Sequence, residues 1–124
     1  MKRFAISLCA VIAMTATAYA ASPIKMTTDN GKVIAGSNSY KTLYTYANDS
    51  DGVSNCYGDC AEKWPPHLAE YWDKPRPPFA TIERTDGKKQ WTKDGKPLYF
   101  STLDKKKGDT NGDGVDRLWK AARP

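Results

Sequence analysis

The cysteines are the first side chains whose type and spacing could support chemistry. Cys56 and Cys60 are separated by three residues, and the third cysteine, Cys9, lies near the start of the chain. In an oxidising compartment an even pair of cysteines is typical of a disulfide. Thioredoxin-like redox enzymes use a Cys-x-x-Cys spacing instead, so we predict a structural disulfide. A copper or zinc site formed by both thiolates and His67 is the alternative.

A run of oxygen-bearing side chains is the second candidate. Residues 109–114 read Asp-Thr-Asn-Gly-Asp-Gly, which matches the start of a calcium-binding loop. The glutamate that closes such a loop is missing, because Lys120 stands in its place. We expect no cofactor, and Asp109, Asn111 and Asp113 are the candidate ligands if Ca²⁺ binds. A plain turn stabilised by these side chains is the alternative that we favour.

An aromatic and acidic pattern that occurs twice is the third candidate. Leu43-Tyr44 reappears as Leu98-Tyr99, 55 positions later, and the acidic and tryptophan positions that follow reappear in the same order. Either the tyrosines fill the core while each aspartate caps a turn, or the aromatic rings line a groove for a small ligand. The candidate binding residues of the second interpretation are Tyr44, Tyr46, Asp49, Trp64, Tyr99, Asp104 and Trp119.

The sequence shows no pattern typical of an enzyme. His67 is the only histidine, and no motif supplies it with a nucleophile to activate. The chain has no glycine-rich phosphate loop, no HExxH helix motif and no GxSxG turn. We therefore expect no catalytic residues and a protein that is not an enzyme.

Short β-strands must position these residues, and the first half of the chain shows how. The run 24–28 and the run 32–35 flank the turn dipeptide at 30–31, Asn-Gly, which favours a tight hairpin. The run 42–46 follows as a third strand, in which Leu43 and Thr45 face one side. The pattern predicts a three-stranded meander.

The second half repeats this order of elements. The runs 81–84 and 89–92 flank an Asp-Gly turn at 86–87, and a second Asp-Gly turn leads to a third strand over 98–100. Because internal repetition of this kind indicates a repeated architecture, we predict two pseudo-repeated β-meanders related by a pseudo-twofold axis. The expected fold is all-β, a small sandwich or barrel-like domain.

The boundaries of the two repeats follow from these elements. Repeat 1 spans about residues 24–65 and repeat 2 about residues 79–122. The segment 65–78 between them holds five prolines together with Tyr71 and Trp72. We expect this crossover to be stiff and to pack on the surface through its two aromatic rings. Short helices are expected only over 61–64 and 115–122.

The first residues predict export. Lys2 and Arg3 precede an uncharged apolar run, and Ala18-Tyr19-Ala20 supplies a cleavage pattern for signal peptidase. We predict a signal peptide over residues 1–20, cleaved near Ala20, and a single secreted or periplasmic domain over residues 21–124. The apolar run is too short to span a membrane. Cys9 lies inside that run, away from the cleavage point, so no lipid anchor is expected.

Charge limits the partners of the mature domain. Loss of Lys2 and Arg3 lowers the formal charge from +5 to +3, which is too small for a nucleic-acid-binding surface. We expect a monomer whose partner is a small molecule or a protein of the cell envelope.

The repeated segments also resemble a known family. Residues 43–49, 54–61 and 64–66 are similar to the bacterial "secreted repeat of unknown function" family, also described as predicted lipoproteins with a Tyr-x-aromatic-x-x-Asp motif. Residues 95–99 and 108–112 resemble its second repeat, although Ser101 stands at the aromatic position. The resemblance implies a secreted, β-rich domain and supplies no activity.

Together these observations predict a non-enzymatic binding or structural domain whose ligand the sequence does not identify. The alternative is an accessory role in metal handling or electron transfer in the cell envelope, which would need free thiols or a bound metal.

Overall fold

The computed structural model of the protein describes residues 22–124. The signal peptide predicted over residues 1–20 lies outside this range. The described chain consists mostly of short strands, so the predicted all-β class is confirmed. In chain order the elements are β1 (Ile24–Thr28), β2 (Gly31–Ala35), β3 (Tyr44–Tyr46), α1 (Asp59–Lys63), β4 (Leu68–Ala69), β5 (Phe79–Glu83), β6 (Lys89–Lys93), β7 (Lys96–Pro97), a 3-10 turn (Val115–Arg117) and β8 (Trp119–Ala121).

Both predicted hairpins are present. Strands β1 and β2 pair in antiparallel register from Ile24 opposite Ala35 to the turn, where Gly31 adopts a φ of 104°. Strands β5 and β6 pair around a turn in which Gly87 has a φ of 85°. Glycine adopts these positive values without the steric cost that a Cβ atom adds, which is why the Asn-Gly and Asp-Gly dipeptides close these turns.

The third strand of the first half pairs differently from the predicted meander. Strand β3 lies against β8 from the second half, with Tyr44 opposite Ala121, and only an isolated bridge at Thr42 joins its start to β2. In the second half, β7 continues the sheet beside β6, and Tyr99 then bridges to Tyr44 of the first half and to Pro66 of the crossover. Each half therefore completes its sheet with residues of the other.

Two tyrosines pair directly where the halves meet. The Tyr44 amide donates to the Tyr99 carbonyl at 2.7 Å, and the Tyr99 amide donates to the Tyr44 carbonyl at 2.9 Å. Exchange of both hydrogen bonds is usual for an antiparallel bridge, and it joins the two Leu-Tyr segments directly. The predicted two-repeat layout is confirmed, with the halves joined at their centres.

The predicted helices are correct only in part. Helix α1 covers most of the 61–64 segment, whereas the predicted helix over 115–122 is wrong, because 3-10 geometry ends at Arg117 and residues 119–121 form β8. Pairing with β3 explains the difference, since it provides backbone partners for β8 and buries Trp119. Tertiary contacts often override local helix propensity in this way.

Two apolar clusters fill the interior, one on each side of the Leu-Tyr segments. Leu43 and Leu98 point into one cluster with Trp91, and Tyr44 and Tyr99 point into the other. This alternation is the period of two that a β-strand imposes on its side chains. The aromatic residues of the repeated pattern therefore share one interior.

Candidate functional site

Each repeated tyrosine is hydrogen-bonded to the aspartate of the opposite repeat. Tyr44 Oη donates to Asp104 Oδ2 at 2.7 Å, and Tyr99 Oη donates to Asp49 Oδ2 at 2.7 Å. The motif Tyr-x-aromatic-x-x-Asp therefore does not act within one copy. It joins the two copies through a pair of exchanged contacts that are equal in length.

The second oxygen of each aspartate caps a loop. Asp49 Oδ1 accepts from the Asn55 amide at 2.7 Å, and Asp104 Oδ1 accepts from the Asn111 amide at 2.8 Å. The two asparagine side chains then donate to equivalent backbone carbonyls, at 2.8 Å and 3.1 Å. The aspartates thus fix the loops to the buried tyrosines, and Asn111 serves here as a turn residue.

Three rings form what we call the aromatic stack: Tyr46, Trp119 and Trp64. The Tyr46 and Trp119 ring centroids are 4.2 Å apart at an interplanar angle of 12°, and those of Trp119 and Trp64 are 3.9 Å apart at 3°. Tyr44 meets Trp64 edge-on at 5.4 Å, and Tyr99 meets Trp119 edge-on at 5.3 Å. Five rings are therefore in continuous contact.

Burial decides the electrostatics of the tyrosine-aspartate pairs. It raises the pKa of both Tyr44 and Tyr99 far above the ordinary value of 10.0, with the neighbouring carboxyl groups adding to the increase. It also raises the pKa of Asp49 and Asp104 above 3.8, although hydrogen bonds to each carboxylate act in the opposite direction. Both hydroxyl groups therefore stay protonated donors, and both carboxyl groups bind a proton more readily than usual.

Most of the predicted binding residues lie in the interior. Tyr44, Trp64, Tyr99, Asp104 and Trp119 are buried. Of these five, Asp104 also lines a shallow depression, together with Phe100 and Lys105. The remaining two, Tyr46 and Asp49, are half-buried and border a small cleft of about 200 Å³. The basic residues Lys96, Arg117 and Lys120 also line this cleft. A ligand for these residues remains a prediction.

A buried arginine supports the loop next to Asp49. The Arg84 side chain, 3 % exposed as a residue, donates to Ser54 Oγ at 3.1 Å, to Gln90 Oε1 at 2.8 Å and to the Cys56 carbonyl at 3.0 Å. Ser54 Oγ in turn lies 2.6 Å from Tyr99 Oη. The sequence did not single out Arg84, because a charged residue at the end of a hairpin strand usually faces solvent.

The predicted disulfide is confirmed. Cys56 and Cys60 are bonded with a Cα–Cα distance of 5.2 Å, and Cys60 lies in the first turn of α1. Both sulfur atoms are therefore engaged in the bond, and His67 lies on a separate segment whose backbone pairs with Leu98 and Trp91. A copper or zinc site that uses both thiolates would require reduction of this bond.

The oxygen atoms of the calcium-like loop are directed to several different partners. Asp109 accepts from the Lys105 and Lys106 amides at 2.8 Å and 3.1 Å, whereas Asp113 accepts from the Ala121 amide and pairs with Arg123. Within residues 22–124 no group of three or more His, Cys, Asp or Glu side chains is arranged to hold a metal ion. Calcium binding by Asp109, Asn111 and Asp113 stays a prediction.

The most exposed aromatic residues lie in the proline-rich crossover. Tyr71 is 81 % exposed and Trp72 is 54 % exposed, and their rings meet edge-on with centroids 4.9 Å apart. They occupy the centre of a turn in which the Glu70 amide donates to Asp73 Oδ2 at 2.8 Å and the Asp73 amide donates to the Glu70 carbonyl at 3.0 Å. The prediction that both rings pack on the body is wrong, because this turn holds them outward.

The comparisons with known proteins agree with the repeated architecture. The family model of a secreted repeat of unknown function matches the chain twice, over residues 25–67 and 80–123. No curated protein and no solved structure matches the chain. In the described range, residues 22–124, no helix is both long and apolar enough to cross a membrane.

Proposed function

The chain belongs to the family of secreted repeats of unknown function, and we propose that it is a non-enzymatic binding domain of the cell envelope. It docks onto a sugar polymer through Tyr71 and Trp72, which we call the aromatic tip. A secreted family fits an extracellular or periplasmic location, and we propose that the domain acts there as a monomer.

The exposure of the aromatic tip is the observation that carries this proposal. Trp64, Trp91 and Trp119 are all buried, whereas Trp72 and its neighbour Tyr71 are held in solvent. Large aromatic side chains are rarely left exposed side by side without a partner, and tyrosine and tryptophan contribute much of the binding energy at many interfaces.

The charges around the aromatic tip favour an uncharged partner. The shallow depression beside Tyr71 is lined by Glu70 and Glu83 as well as by Lys88 and Lys89, so its formal charge is balanced. A balanced surface does not attract a nucleic acid or an anionic membrane over a distance. Sugar rings have apolar C–H faces that pack on aromatic rings, and their hydroxyl groups can pair with both carboxylates and ammonium groups.

The surrounding structure keeps the aromatic tip in place before it binds. The turn is closed by the two contacts between Glu70 and Asp73, and β4 fixes its start by pairing with β6. The prolines at 75, 77 and 78 restrict the chain that follows. A preorganised aromatic pair loses little conformational entropy when it binds.

Sedimentation with purified cell-wall sacculi tests the proposal. We expect the unmodified protein to co-sediment with sacculi that have been stripped of protein by protease and detergent. The double variant Tyr71→Ala/Trp72→Ala should lose about tenfold in affinity, which corresponds to about 1.4 kcal/mol. The change is expected to leave the melting temperature unchanged, since both rings are exposed.

Matched controls decide the outcome. Val53 and Leu103 are 50 % and 48 % exposed and lie outside the crossover, so Val53→Ala and Leu103→Ala should bind as the unmodified protein does. Equal binding by the tip variant would rule out the aromatic tip as the docking site. Binding only to sacculi that retain their proteins would replace the sugar polymer with a protein partner.

The metal-handling alternative depends on the state of the cysteines. The disulfide occupies both sulfur atoms, so this role requires reduced protein. A thiol titration together with metal analysis of the purified protein tests it: blocked thiols and no bound metal would end this alternative.

A further inference from the structure

The five contacting aromatic rings form a continuous path from the protein surface to its interior. The aromatic stack runs from Tyr46, which is half-buried at the cleft, through Trp119 to Trp64 in the interior, with centroid distances of 4.2 Å and 3.9 Å. Electron transfer between rings in contact is fast, because its rate falls steeply only as the separation grows. When a ring at the surface is oxidised, an electron from the inner rings can therefore replace the one that was lost.

Two tyrosines that contact this path, Tyr44 and Tyr99, each have a carboxylate proton acceptor within hydrogen-bond distance. Tyr44 touches Trp64 and Tyr99 touches Trp119, and each hydroxyl donates to a carboxylate at 2.7 Å. An oxidised tyrosine must release its hydroxyl proton, and a positioned base within hydrogen-bond distance can receive it. Asp104 and Asp49 are placed to do so without any movement of the backbone.

We propose that the protein is a one-electron relay that accepts an oxidising equivalent from a small radical at its surface and holds it on Tyr44 or Tyr99. The oxidant gains one electron. From Tyr99 the electron passes through Trp119 and Tyr46, and from Tyr44 it passes first through Trp64. The phenolic O–H bond breaks, and an O–H bond forms on Asp104 or Asp49. A neutral tyrosyl radical and a neutral carboxylic acid remain.

The charge balance of this step suits a buried site. Before oxidation the pair holds one negative charge, on the carboxylate, and afterwards it holds none. Burial disfavours the charged form of each carboxyl group, so loss of the charge on oxidation assists the reaction. The nearby charges of Arg84 and Lys41 oppose this effect, and burial is the larger of the two. The raised pKa of Asp49 and Asp104 acts in the same direction, because it strengthens their hold on the transferred proton.

Pulse radiolysis with the azide radical, an inorganic one-electron oxidant, tests the relay. The exposed rings of the aromatic tip would compete for the oxidant, so the experiment uses the background Tyr71→Phe/Trp72→Phe. We expect the tryptophan radical to convert into a tyrosyl radical in a first-order step whose rate is independent of protein concentration. The frozen sample should give the electron paramagnetic resonance spectrum of a hydrogen-bonded tyrosyl radical.

Variants of the proton acceptors distinguish a relay from ordinary surface oxidation. Asp49→Asn/Asp104→Asn should slow the conversion by about a hundredfold, the lower range of what a positioned proton acceptor contributes. Asp51→Asn changes an exposed carboxylate that contacts neither tyrosine, and it should leave the rate unchanged. An unchanged rate in the double variant would overturn the proposal.

A second measurement keeps the test decisive if the double variant fails to fold. The conversion in the background protein should slow in deuterated water, because proton movement accompanies electron transfer. A rate that is equal in both solvents, or a spectrum from solvent-exposed tyrosine alone, would overturn the relay. The result is independent of sacculus binding, since residues 71 and 72 make none of the ring contacts that form the relay.

Discussion

The two capped loops of the protein share one hydrogen-bonding scheme and differ in how they are locked. The first loop, residues 48–60, and the second loop, residues 103–116, each attach through an asparagine amide to an aspartate that contacts a buried tyrosine. The first loop is then closed by the Cys56–Cys60 disulfide and by Arg84. The second loop has neither, and Gly112 lies directly against Trp64 and Tyr44 instead.

This difference shows which contacts the pseudo-twofold fold requires. The tyrosine-aspartate-amide connection occurs in both loops at nearly equal distances, so it holds the repeats together. Each loop also has a restraint of its own, which we call its lock: the Cys56–Cys60 disulfide in the first loop and the close packing of Gly112 in the second. Changes to the shared connection should therefore affect both halves, and changes to a lock should affect one.

Gly112→Ala should give the largest effect. A Cβ atom there would lie 2.8 Å from Trp64 Cη2 and 3.0 Å from Tyr44 Cζ, and neither ring has room to retreat. We expect the free energy of unfolding to fall by about 3 kcal/mol, the upper range for overpacking a core. Chemical denaturation measures this loss.

Gly114→Ala is the control for this steric lock. Gly114 has a φ of 92° and open space around its Cα, so alanine there is strained only by its backbone, at about 1 kcal/mol. An equal cost for the two variants would show that the second loop is not locked by close packing.

Removal of the covalent lock should have the next largest effect. Cys56→Ala/Cys60→Ala opens a very short loop, and the chain-entropy relation predicts a loss of about 2 kcal/mol. Amide hydrogen exchange should accelerate at Asn55 and stay unchanged at Asn111, because each amide belongs to a separate loop. Equal acceleration at both amides would contradict the idea that the lock is local.

Tyr44→Phe and Tyr99→Phe test the shared connection. Each change leaves a carboxylate oxygen without its donor, that of Asp104 buried and that of Asp49 partly buried. We expect each change to cost about 1.5 kcal/mol. The two losses should agree with each other because the two bonds are both 2.7 Å long. Tyr46→Phe, which removes a half-buried hydroxyl, should cost less than about 0.5 kcal/mol. A large difference between the first two variants would mean that the repeats are not energetically equivalent.

The smallest effect concerns pH. Asp49 and Asp104 have a raised pKa when folded, so the folded protein binds more protons than the unfolded chain in the region just above pH 3.8. Their contribution to stability is therefore fully present below that pH and is lost as the pH rises through the folded pKa. Nuclear magnetic resonance titration should place both carboxyl groups above 3.8.

Two carboxyl groups outside the tyrosine-aspartate pairs give the opposite sign and serve as controls. Hydrogen bonds from Lys105 and Lys106 lower the pKa of Asp109, and contacts with Lys88 and Arg84 lower the pKa of Asp86 despite the opposing effect of desolvation. Their contribution is present at neutral pH and is lost as the pH falls through the folded pKa. Titration of Asp49 or Asp104 below these two would contradict the assigned effect of burial.

The sequence predicts the features that depend on neighbouring residues. The Asn-Gly and Asp-Gly turns locate both hairpins, and the spacing of Cys56 and Cys60 indicates the disulfide, because both signals act over a few residues. The repetition of Leu43-Tyr44 as Leu98-Tyr99 predicts the two-unit architecture. These predictions do not require knowledge of which strand lies beside which.

The features that remained unpredicted all depend on contacts between distant parts of the chain. The partner of Tyr44 is Asp104 in place of the nearby Asp49, and no local pattern separates these two choices. Burial of Arg84 depends on Ser54 and Cys56, which precede it by 30 and 28 residues.

The reciprocal exchange between the Leu-Tyr segments has a consequence for the origin of the molecule. One repeat alone would lack the aspartate, the strand partner and the stacked tryptophan that the other supplies. An ancestral chain with a single repeat could complete these contacts only by associating with an identical copy. The present protein has the form of such a homodimer after duplication and fusion, and a nick in the crossover should leave two fragments that remain bound to each other.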